Sequence, residues 1–369
     1  MNVLWITNLP SPYRVQFFNE LSKYCNLLVL FERHSASDRH NKWSSENTYN
    51  FNYKVLNGTP TSHETAVCPS VLGYIARNKY DIVVITNYYS PTGMLAILKM
   101  KLLKIPFYIE ADGGFKKQDS RLKYLVKNYF IKSASGWFST SKKTDEYFLF
   151  YGAKKEKIYH YPFSSINDSD ICSIEEIKGS KNYYKEKINH SNERIILGVG
   201  QFIHRKGFDM LLEAYSKITT RCVLILVGCG DKENEYRDLI DKNNLAGVYI
   251  EPFKDAKELV DYYRAADIFV LPTREDIWGL VVNEAMAYGL PVITTDRCVA
   301  GLELIEHGKN GFICSLDNIS NSLPAFLDRL LSEEKLCAEI SQSNINKISE
   351  YTIQKMARSH ADIFSRIIS

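Results

Sequence analysis

The chain has 369 residues, of which 45% are hydrophobic and 24% are charged, and its formal net charge is +3. This length is large for one α/β domain and suits two domains of about 150–200 residues each. No apolar run approaches the ~20 residues of a membrane-spanning helix, and residues 1–7 lack the basic and cleavage regions of a signal peptide. We therefore expect a cytoplasmic, globular protein.

Cysteine and histidine usage gives no sign of a metal centre. The eight cysteines are dispersed and form no C-x-x-C pair, and the eight histidines show no metal-ligand spacing. Reduced thiols that fill the core are the simplest interpretation. We expect neither a metal nor a cofactor.

The charge is unevenly distributed along the chain. Residues 1–170 contain 22 Lys and Arg against 14 Asp and Glu, whereas the remainder contains 24 against 29. Much of the excess lies between Lys99 and Lys143, where 11 basic residues face three acidic ones. A one-sided basic surface indicates an anionic partner, either lipid head groups or nucleic acid. Because nothing else resembles a nucleic-acid recognition module, nucleic acid is not expected.

Short apolar strands alternate with amphipathic helices along most of the chain, which is the pattern of parallel sheets covered by helices. In the first half we predict strands near 2–7, 27–31, 81–86, 106–110 and 136–139, with helices near 14–24, 91–103, 120–132 and 142–150. In the second half we predict strands near 195–200, 222–228, 267–272 and 291–295, with helices near 209–217, 233–243, 256–264 and 280–288.

The alternation is interrupted between about 161 and 193, where the chain is polar and charged and has no strand-like run. We place a domain boundary there, near Phe163. The predicted fold class is α/β, with two Rossmann-like domains, 1–163 and 164–349, that face each other across a cleft. The last helix, within 350–369, has no strand after it and is predicted to pack back on the first domain. Ligands of such sheets bind beyond the carboxyl ends of the strands.

One motif spans 274–291 (REDIWGLVVNEAMAYGLP) and follows a buried-strand pattern, IFVLP. The predicted helix begins after Gly279 and stops at Gly289, which is a favourable C-terminal cap. Its start, Gly279–Val281, should therefore lie at the carboxyl edge of a parallel sheet. Free N–H groups and the positive end of the helix dipole favour an anion there, and glycine leaves room for a phosphate.

Two acids in this motif, Asp276 and Glu284, are eight positions apart. Glu284 lies one turn beyond the free amides, where its carboxylate could accept hydrogen bonds from a ribose diol. Asp276 could do the same for a sugar hydroxyl. Alternatively, Asp276 caps the helix and Glu284 is a solvated acid of the first turn. The chemistry of the motif by itself leaves both interpretations open.

A second motif spans 195–215 (IILGVGQFIHRKGFDMLLEAY) and predicts a strand, a glycine-rich loop and a helix. A dinucleotide fingerprint would need glycine at Ile203, and Lys206 does not have the spacing of a P-loop lysine. What remains is a loop that carries Arg205 and Lys206 at the edge of a sheet. Two such cations suit a diphosphate, although a solvated basic turn would have the same sequence.

The two motifs, in this order, resemble those of the retaining glycosyltransferases of family 4, which have the GT-B fold. The matching segments are GVGQFIHRKGFDMLLEAY at 198–215, LVGCG at 226–230, YYRAADIFVLPTREDIWGLVVNEAMAYGLPVITTD at 262–296 and ELIEHGKNGFI at 303–313. The first half, with LPSPYRVQFFNEL at 9–21 and FYIEADGGF at 107–115, looks like members that build capsular or other surface polysaccharides.

On the donor side, the resemblance implies that residues 164–349 bind a nucleoside diphosphate sugar, with UDP expected as the nucleotide. Arg205 and Lys206 would neutralise the diphosphate, and Glu284 would hold the nucleotide ribose. The amides of Gly279, Leu280 and Val281 would bind the sugar and the phosphates.

Asp276 stands at the first acidic position of the family motif, where it would hold the donor sugar. That position is usually Glu, and Glu275 precedes it here, so either side chain could reach the sugar. Gln201 replaces a basic residue common in the family, which leaves more of the phosphate charge to Arg205. Asp112, in the ADGG turn of domain 1–163, would place a polar group over the donor sugar from the acceptor side.

The resemblance thus implies a retaining glycosyltransferase of hexosyltransferase type, in which the leaving phosphate oxygen helps to deprotonate the acceptor. Helix amides and two cations could stabilise the leaving diphosphate without a metal. The D-x-D at Asp168–Asp170 would suit a metal, but it lies in the polar linker and not at a strand end. A GT-B sugar-nucleotide epimerase, or another nucleotide-sugar-binding protein, is the alternative function.

The acceptor would be a glycan or a lipid-linked glycan, and the helix at 121–132 (RLKYLVKNYFIK) bears on this. It carries Leu122, Leu125, Val126 and Tyr129 on one face, flanked by basic residues. This helix could pack on the core with a solvated basic edge. Alternatively, it rests on an anionic membrane, which would make the protein peripheral on the inner face of the cell membrane.

Overall fold

The computed structural model describes residues 1–35 and 48–369, which form two compact units. The first unit comprises 1–164 together with 353–369, and the second comprises 165–352. The division thus falls one residue after the boundary expected from the sequence, and the last helix belongs to the first unit. In the described part of the chain, no helix combines the length and the apolar character needed to cross a bilayer.

The described part of the first unit contains nine strands. They are β1 (Asn2–Thr7), β2 (Asn26–Phe31), β3 (Asn52–Val55), β4 (Thr59–Pro60), β5 (Ala66–Val67), β6 (Ile82–Ile85), β7 (Tyr108–Ala111), β8 (Gly136–Ser139) and β9 (Ile158–His160). Seven form a fully parallel sheet in the order β3-β2-β1-β6-β7-β8-β9, while β4 and β5 pair antiparallel. Central strands such as β6 are buried throughout, as expected for a parallel sheet covered on both faces.

Among residues 1–35, 48–164 and 353–369, the α-helices are α1 (Pro12–Leu21), α2 (Pro91–Leu103), α3 (Arg121–Lys132) and α4 (Lys142–Phe150), together with the C-terminal helix (Ile353–Ile368). Local sequence fixes several ends: the Ser90 side chain accepts from the amide of Gly93 to cap α2, and Pro91 occupies its first turn. The C-terminal helix buries an apolar stripe, and Phe364 and His360 pack on Trp5 of β1. This contact attaches the end of the chain to the first unit.

The second unit has six parallel strands in the order β12-β11-β10-β13-β14-β15. The strands are β10 (Ile195–Val199), β11 (Val223–Val227), β12 (Val248–Glu251), β13 (Ile268–Leu271), β14 (Val292–Thr295) and β15 (Gly311–Cys314). The direction in which strands are added reverses between β10 and β13, and ligands bind at such a reversal in open α/β sheets.

The helices of the second unit are α5 (Ile174–Lys187), α6 (Phe208–Tyr215), α7 (Glu233–Lys242), α8 (Ala256–Ala265), α9 (Leu280–Ala287), α10 (Val299–Leu304), α11 (Ile319–Ser332) and α12 (Glu334–Ile348). Phe208, Leu211 and Leu212 of α6 pack in its core with Leu323 and Leu327 of α11. Helix α5 occupies the segment that was expected from the sequence only as a polar interruption.

Candidate nucleotide-sugar site

The basic loop of the second unit lies at the carboxyl end of β10. His204–Lys206 form a single 3₁₀ turn, and Gly207 then adopts a left-handed conformation (φ 72°) before α6 begins. A Cβ atom on Gly207 would lie 2.2 Å from the carbonyl oxygen of Pro272, at the end of the neighbouring strand β13. Glycine therefore allows the basic loop to pack directly against the loop that follows β13.

Asp276 lies between the two predicted cations. Its carboxylate oxygens are 2.5 Å from Lys206 Nζ and 3.3 Å from Arg205 Nη1. Asp276 is only 6% exposed, whereas the Arg205 side chain is 41% exposed. Because one carboxylate faces two cations, this cluster keeps one net positive charge at the edge of the sheet.

Backbone and side-chain contacts join the two loops. The amide of Arg274 and the hydroxyl of Thr273 each donate to the carbonyl oxygen of Arg205 at 2.8 Å. The Arg274 guanidinium binds Asp209 of α6 in a bidentate pair, with Nη1–Oδ1 and Nη2–Oδ2 distances of 2.8 and 2.5 Å. It also donates to the carbonyl of His204 at 2.9 Å. Although burial would raise the pKa of Asp209, its bonds to Arg274 lower it.

The start of α9 lies in the same loop region. Gly279 has a left-handed backbone (φ 101°), and a Cβ atom there would lie 2.9 Å from Cys298 Sγ. Within the described residues, the first turn of α9 receives no side-chain cap, so its leading amides point from the helix toward the edge of the sheet. The alternative in which Asp276 caps this helix is therefore wrong.

Glu284 lies on α9, one turn after its start, and is half-buried. The hydroxyl of Ser165 donates to Oε1 at 3.1 Å, and that of Tyr263 donates to Oε2 at 2.9 Å. Tyr263 is held by stacking on Tyr288, with ring centroids 5.5 Å apart. Burial raises the pKa of Glu284, although these two hydrogen bonds and Lys206 oppose the shift. Glu284 is thus an oriented carboxylate, and its interpretation as a solvated first-turn acid is wrong.

Asp112 of the first unit has its own set of partners after β7. Arg14 of α1 forms an ion pair with its Oδ1, and Tyr13 donates to its Oδ2 at 3.1 Å. Arg14 is buried and also contacts Oε1 of Glu110 at 2.5 Å. Burial, reinforced by the charge of Glu110, raises the pKa of Asp112, while Arg14 opposes this.

The network beneath Asp112 extends to the C-terminal helix. Tyr161 donates to Oε1 of Glu110 at 3.0 Å, and Nε2 of His360 lies 3.5 Å from Oε2 of the same carboxylate. Although burial alone would raise it, Arg14 and His360 lower the pKa of Glu110. The position of Asp112 therefore depends on β7, on α1 and, through Glu110, on the C-terminal helix.

The predicted residues of the donor side all lie in the second unit: Arg205, Lys206, Glu275, Asp276, Gly279, Leu280, Val281 and Glu284. Direct contacts join Arg205 and Lys206 to Asp276, and the carbonyl of Glu275 accepts from Arg205 at 2.8 Å. Asp112 lies in the first unit.

The Asp168–Asp170 segment forms a short 3₁₀ turn in which Asp170 accepts from the amide of Asn167 at 2.7 Å. Across residues 1–35 and 48–369, no group of three or more His, Cys, Asp and Glu side chains is placed to hold a metal ion.

Sequence reasoning missed five residues that position the predicted site residues: Ser165, Tyr263, Arg274, Asp209 and Arg14. Tyr263 and Arg274 lie within the motif at 262–296. Their position in that motif could have identified them as candidate site residues. Ser165 lies 119 residues from Glu284 along the chain, and no local pattern marks it.

One family model matches much of the second unit. Residues 180–347 match the family model for glycosyl transferases group 1. An uncharacterized glycosyltransferase of Haemophilus influenzae is 30% identical over 175 residues, covering 47% of this chain and 49% of that protein. The chain thus spans about half the length of this relative.

Two further proteins match over more of the chain. A Campylobacter jejuni protein described as N,N'-diacetylbacillosaminyl-diphospho-undecaprenol alpha-1,3-N-acetylgalactosaminyltransferase is 24% identical, with 74% of each chain covered. The structure of Anabaena Alr3699/HepE in complex with UDP superposes with a TM-score of 0.81 at 17% identity, covering 99% of this chain and 100% of that one. The resemblance to glycosyltransferases is confirmed: residues 180–347 match the model for glycosyl transferases group 1, and the two Rossmann-like units have the GT-B fold.

Proposed function

We propose that the chain is a retaining glycosyltransferase that moves a hexose from a UDP-sugar to a glycan or lipid-linked glycan in the biosynthesis of a surface polysaccharide. The observation that carries this proposal is the cluster of Arg205, Lys206 and Asp276 in the same unit as the oriented carboxylate Glu284. Assignment to family 4 is part of the proposal.

The cluster has the chemistry needed to hold a diphosphate. Arg205 is 41% exposed and can present its guanidinium to phosphate oxygens, while Lys206 lies closer to Asp276. The uncapped amides at the start of α9 add donors and a positive dipole end. Together they would stabilise the negative charge that grows on the diphosphate as the sugar–phosphate bond breaks.

Glu284 has the chemistry needed to hold a ribose. A carboxylate has about four lone-pair directions, and Ser165 and Tyr263 use two of them. The remaining directions can accept hydrogen bonds from the two hydroxyls of a ribose. This requirement for a diol gives the donor side its preference for ribonucleotides.

Asp276 or Glu275 would accept hydrogen bonds from the donor sugar, and the burial of Asp276 between two cations favours Asp276. In the proposed reaction the acceptor oxygen forms its bond to the anomeric carbon as the diphosphate leaves on the same face. A diphosphate oxygen takes the acceptor proton, so the configuration is retained. Asp112 would contact the sugar from the acceptor side.

The relatives support the remaining parts of the proposal. A structural neighbour binds UDP, and the name of the Campylobacter relative specifies a lipid-linked acceptor. Another relative is described as the capsular polysaccharide biosynthesis glycosyltransferase CapM of Staphylococcus aureus, 24% identical over 205 residues. A lipid-linked acceptor would be reached from the cytoplasmic face of a membrane, and the basic excess of residues 1–170 supports peripheral contact there.

The binding of uridine, UMP and UDP to the wild type and to Arg205→Ala tests the donor site. Calorimetry should show that UDP binding weakens by about tenfold or more in Arg205→Ala, because a charged hydrogen bond contributes about 1.5–3 kcal/mol. Uridine, which lacks phosphates, should bind equally well to both proteins. Lys309→Ala, an exposed site in the same unit, is the control. Equal loss for uridine and UDP would contradict the diphosphate role.

We also propose that turnover needs no metal, because two cations and the α9 amides would face the bound diphosphate. Activity should survive an excess of chelator. Strict dependence on an added divalent cation would contradict this part of the proposal. It would not affect the roles proposed for the donor-binding residues.

A further inference from the structure

Helix α3 turns its apolar stripe toward solvent. Leu122, Leu125, Val126 and Tyr129 have the spacing of a core-facing stripe, yet they are 74%, 53%, 38% and 46% exposed. Phe130 and Ile131 are the buried residues of this helix. The helix thus packs on the core through Phe130 and Ile131, while its apolar stripe faces solvent. Four large apolar side chains on one helix form an exposed patch of the kind that marks an interaction surface.

The end of neighbouring helix α2 also exposes apolar side chains. Lys101 of α2 lies 3.7 Å from the ring centroid of Tyr129 and 2.8 Å from Ser133 Oγ, so the end of α2 adjoins α3. Leu102 is 80% exposed, and Leu98, one turn earlier, is also exposed. We call this surface the apolar ridge, and it comprises Leu98, Leu102, Leu122, Leu125, Val126 and Tyr129.

The ridge is bordered by positive charge. Helix α3 carries Arg121, Lys123, Lys127 and Lys132 and has no acidic residue. The neighbouring acid, Asp119, is buried and engaged by Lys127 at 2.7 Å and Lys123 at 3.2 Å. Arg121, Lys132 and Lys101 are exposed, and so the border of the ridge is cationic.

We propose that the apolar ridge inserts into the head-group region of an anionic bilayer, with the bordering cations on lipid phosphates. Aliphatic side chains beside Lys and Arg are the composition of helices that lie in a membrane interface. Charge alone would fit a nucleic acid, but a nucleic acid offers no apolar phase for six exposed apolar side chains. This inference rests on the proposed function in one respect: membrane contact would bring the protein to a lipid-linked acceptor.

Sedimentation with vesicles of phosphatidylcholine, with and without phosphatidylglycerol, tests the proposal. Leu122→Gln/Leu125→Gln should reduce binding to anionic vesicles at least about tenfold. Arg121→Glu/Lys132→Glu should reduce it by a similar factor at low salt and less at high salt. Because all four side chains are exposed, melting temperatures should stay unchanged. Lys127 is unsuitable for this purpose because it pairs with buried Asp119.

A control variant, a fluorescence signal and the oligomeric state together distinguish membrane insertion by the ridge from self-association through it. Ile368→Gln removes an exposed apolar side chain of the same unit outside the ridge, and it should bind vesicles like the wild type. Tyr129→Trp should add a fluorescence signal that shifts to shorter wavelength on anionic vesicles. Equal vesicle binding by Leu122→Gln/Leu125→Gln and the wild type would overturn the proposal. So would a wild-type dimer that this double variant converts to monomer, because a second copy would then cover the ridge.

The vesicle assays contain neither donor nor acceptor. A negative result in them would therefore contradict the membrane proposal without contradicting the transferase proposal. A variant that loses vesicle binding should still hydrolyse a soluble nucleotide-sugar donor at the wild-type rate. Loss of both properties in Leu122→Gln/Leu125→Gln would overturn the assignment of the ridge to membrane docking.

Discussion

Replacing Glu284 with glutamine removes one charge and one acceptor atom while keeping the size of the side chain. In the wild type, Ser165 and Tyr263 each donate to a different carboxylate oxygen. Glutamine has one carbonyl oxygen and one NH₂ group, and the NH₂ group cannot accept a hydrogen bond. The variant therefore loses an acceptor for a ribose hydroxyl and the charge that strengthens the remaining bond.

Hydrogen bonds to a charged group contribute about 1.5–3 kcal/mol each. Loss of one such bond and weakening of the other should cost about 3 kcal/mol of UDP affinity, which is on the order of 100-fold in Kd. The loss should depend on the ribose and not on the phosphates. UDP should therefore bind more tightly than 2′-deoxy-UDP in the wild type, whereas Glu284→Gln should bind the two almost equally.

Fold stability should change in the opposite direction. Burial raises the pKa of Glu284 above its ordinary value of 4.5, so its ionised form is disfavoured in the folded state. For an acid shifted upward, stability is highest below the unfolded pKa and falls as pH rises through the folded pKa. Glu284→Gln removes this penalty and should be at least as stable as the wild type near neutral pH.

Calorimetric titration with UDP and 2′-deoxy-UDP, with thermal melts of the same samples, checks both expectations. Glu186→Gln, on the exposed surface of α5, is the matched control. UDP affinity within about threefold of wild type in Glu284→Gln would refute the ribose assignment, since it would amount to less than one hydrogen bond. A large fall in melting temperature would refute the stability reasoning.

Two other predictions concern side chains that sequence reasoning did not identify. Arg274→Ala and Asp209→Ala should each reduce kcat/KM, and the double variant should lose less transition-state stabilisation than the two single losses added together. A double-mutant cycle should give a coupling energy of about 1 kcal/mol for the bidentate pair. Additive losses would contradict a direct interaction between the two side chains. Burial raises the pKa of Glu32 from 4.5 to about 7. Its ionisation should lower stability as pH rises from about 5 to about 8, by at most about 3 kcal/mol. Denaturant unfolding of Glu32→Gln against the wild type checks this, and a difference independent of pH would contradict it.

Much of the donor side could be predicted because its signals are local in the sequence. Gly207 and Gly279 mark turns with positive φ, and the strands before them are continuous apolar runs. Parallel pairing then brings the ends of β10 and β13 together, which is why Lys206 and Asp276 meet although they are 70 positions apart. The order of strand, loop and helix in the sequence therefore predicts that these two loops lie side by side.

Other features depend on the tertiary fold. The edge strands β3, β9 and β12 were missed because they are short and partly exposed, and so lack the continuous apolar pattern of central strands. Helix α5 was missed because its composition is polar. The spacing of the apolar residues of α3 was evident, but spacing alone does not show whether a stripe faces the core or solvent.

The measurement that tests the central proposal most directly is turnover of a panel of nucleoside diphosphate sugars, followed as release of free nucleoside diphosphate. We expect at least one UDP-sugar to be consumed, with the anomeric configuration retained in the sugar released or transferred. Glu284→Ala should lose this activity while melting at nearly the wild-type temperature. Interconversion of the donor without release of UDP would instead identify an epimerase. If no donor is consumed and none raises the melting temperature, the proposed function is contradicted.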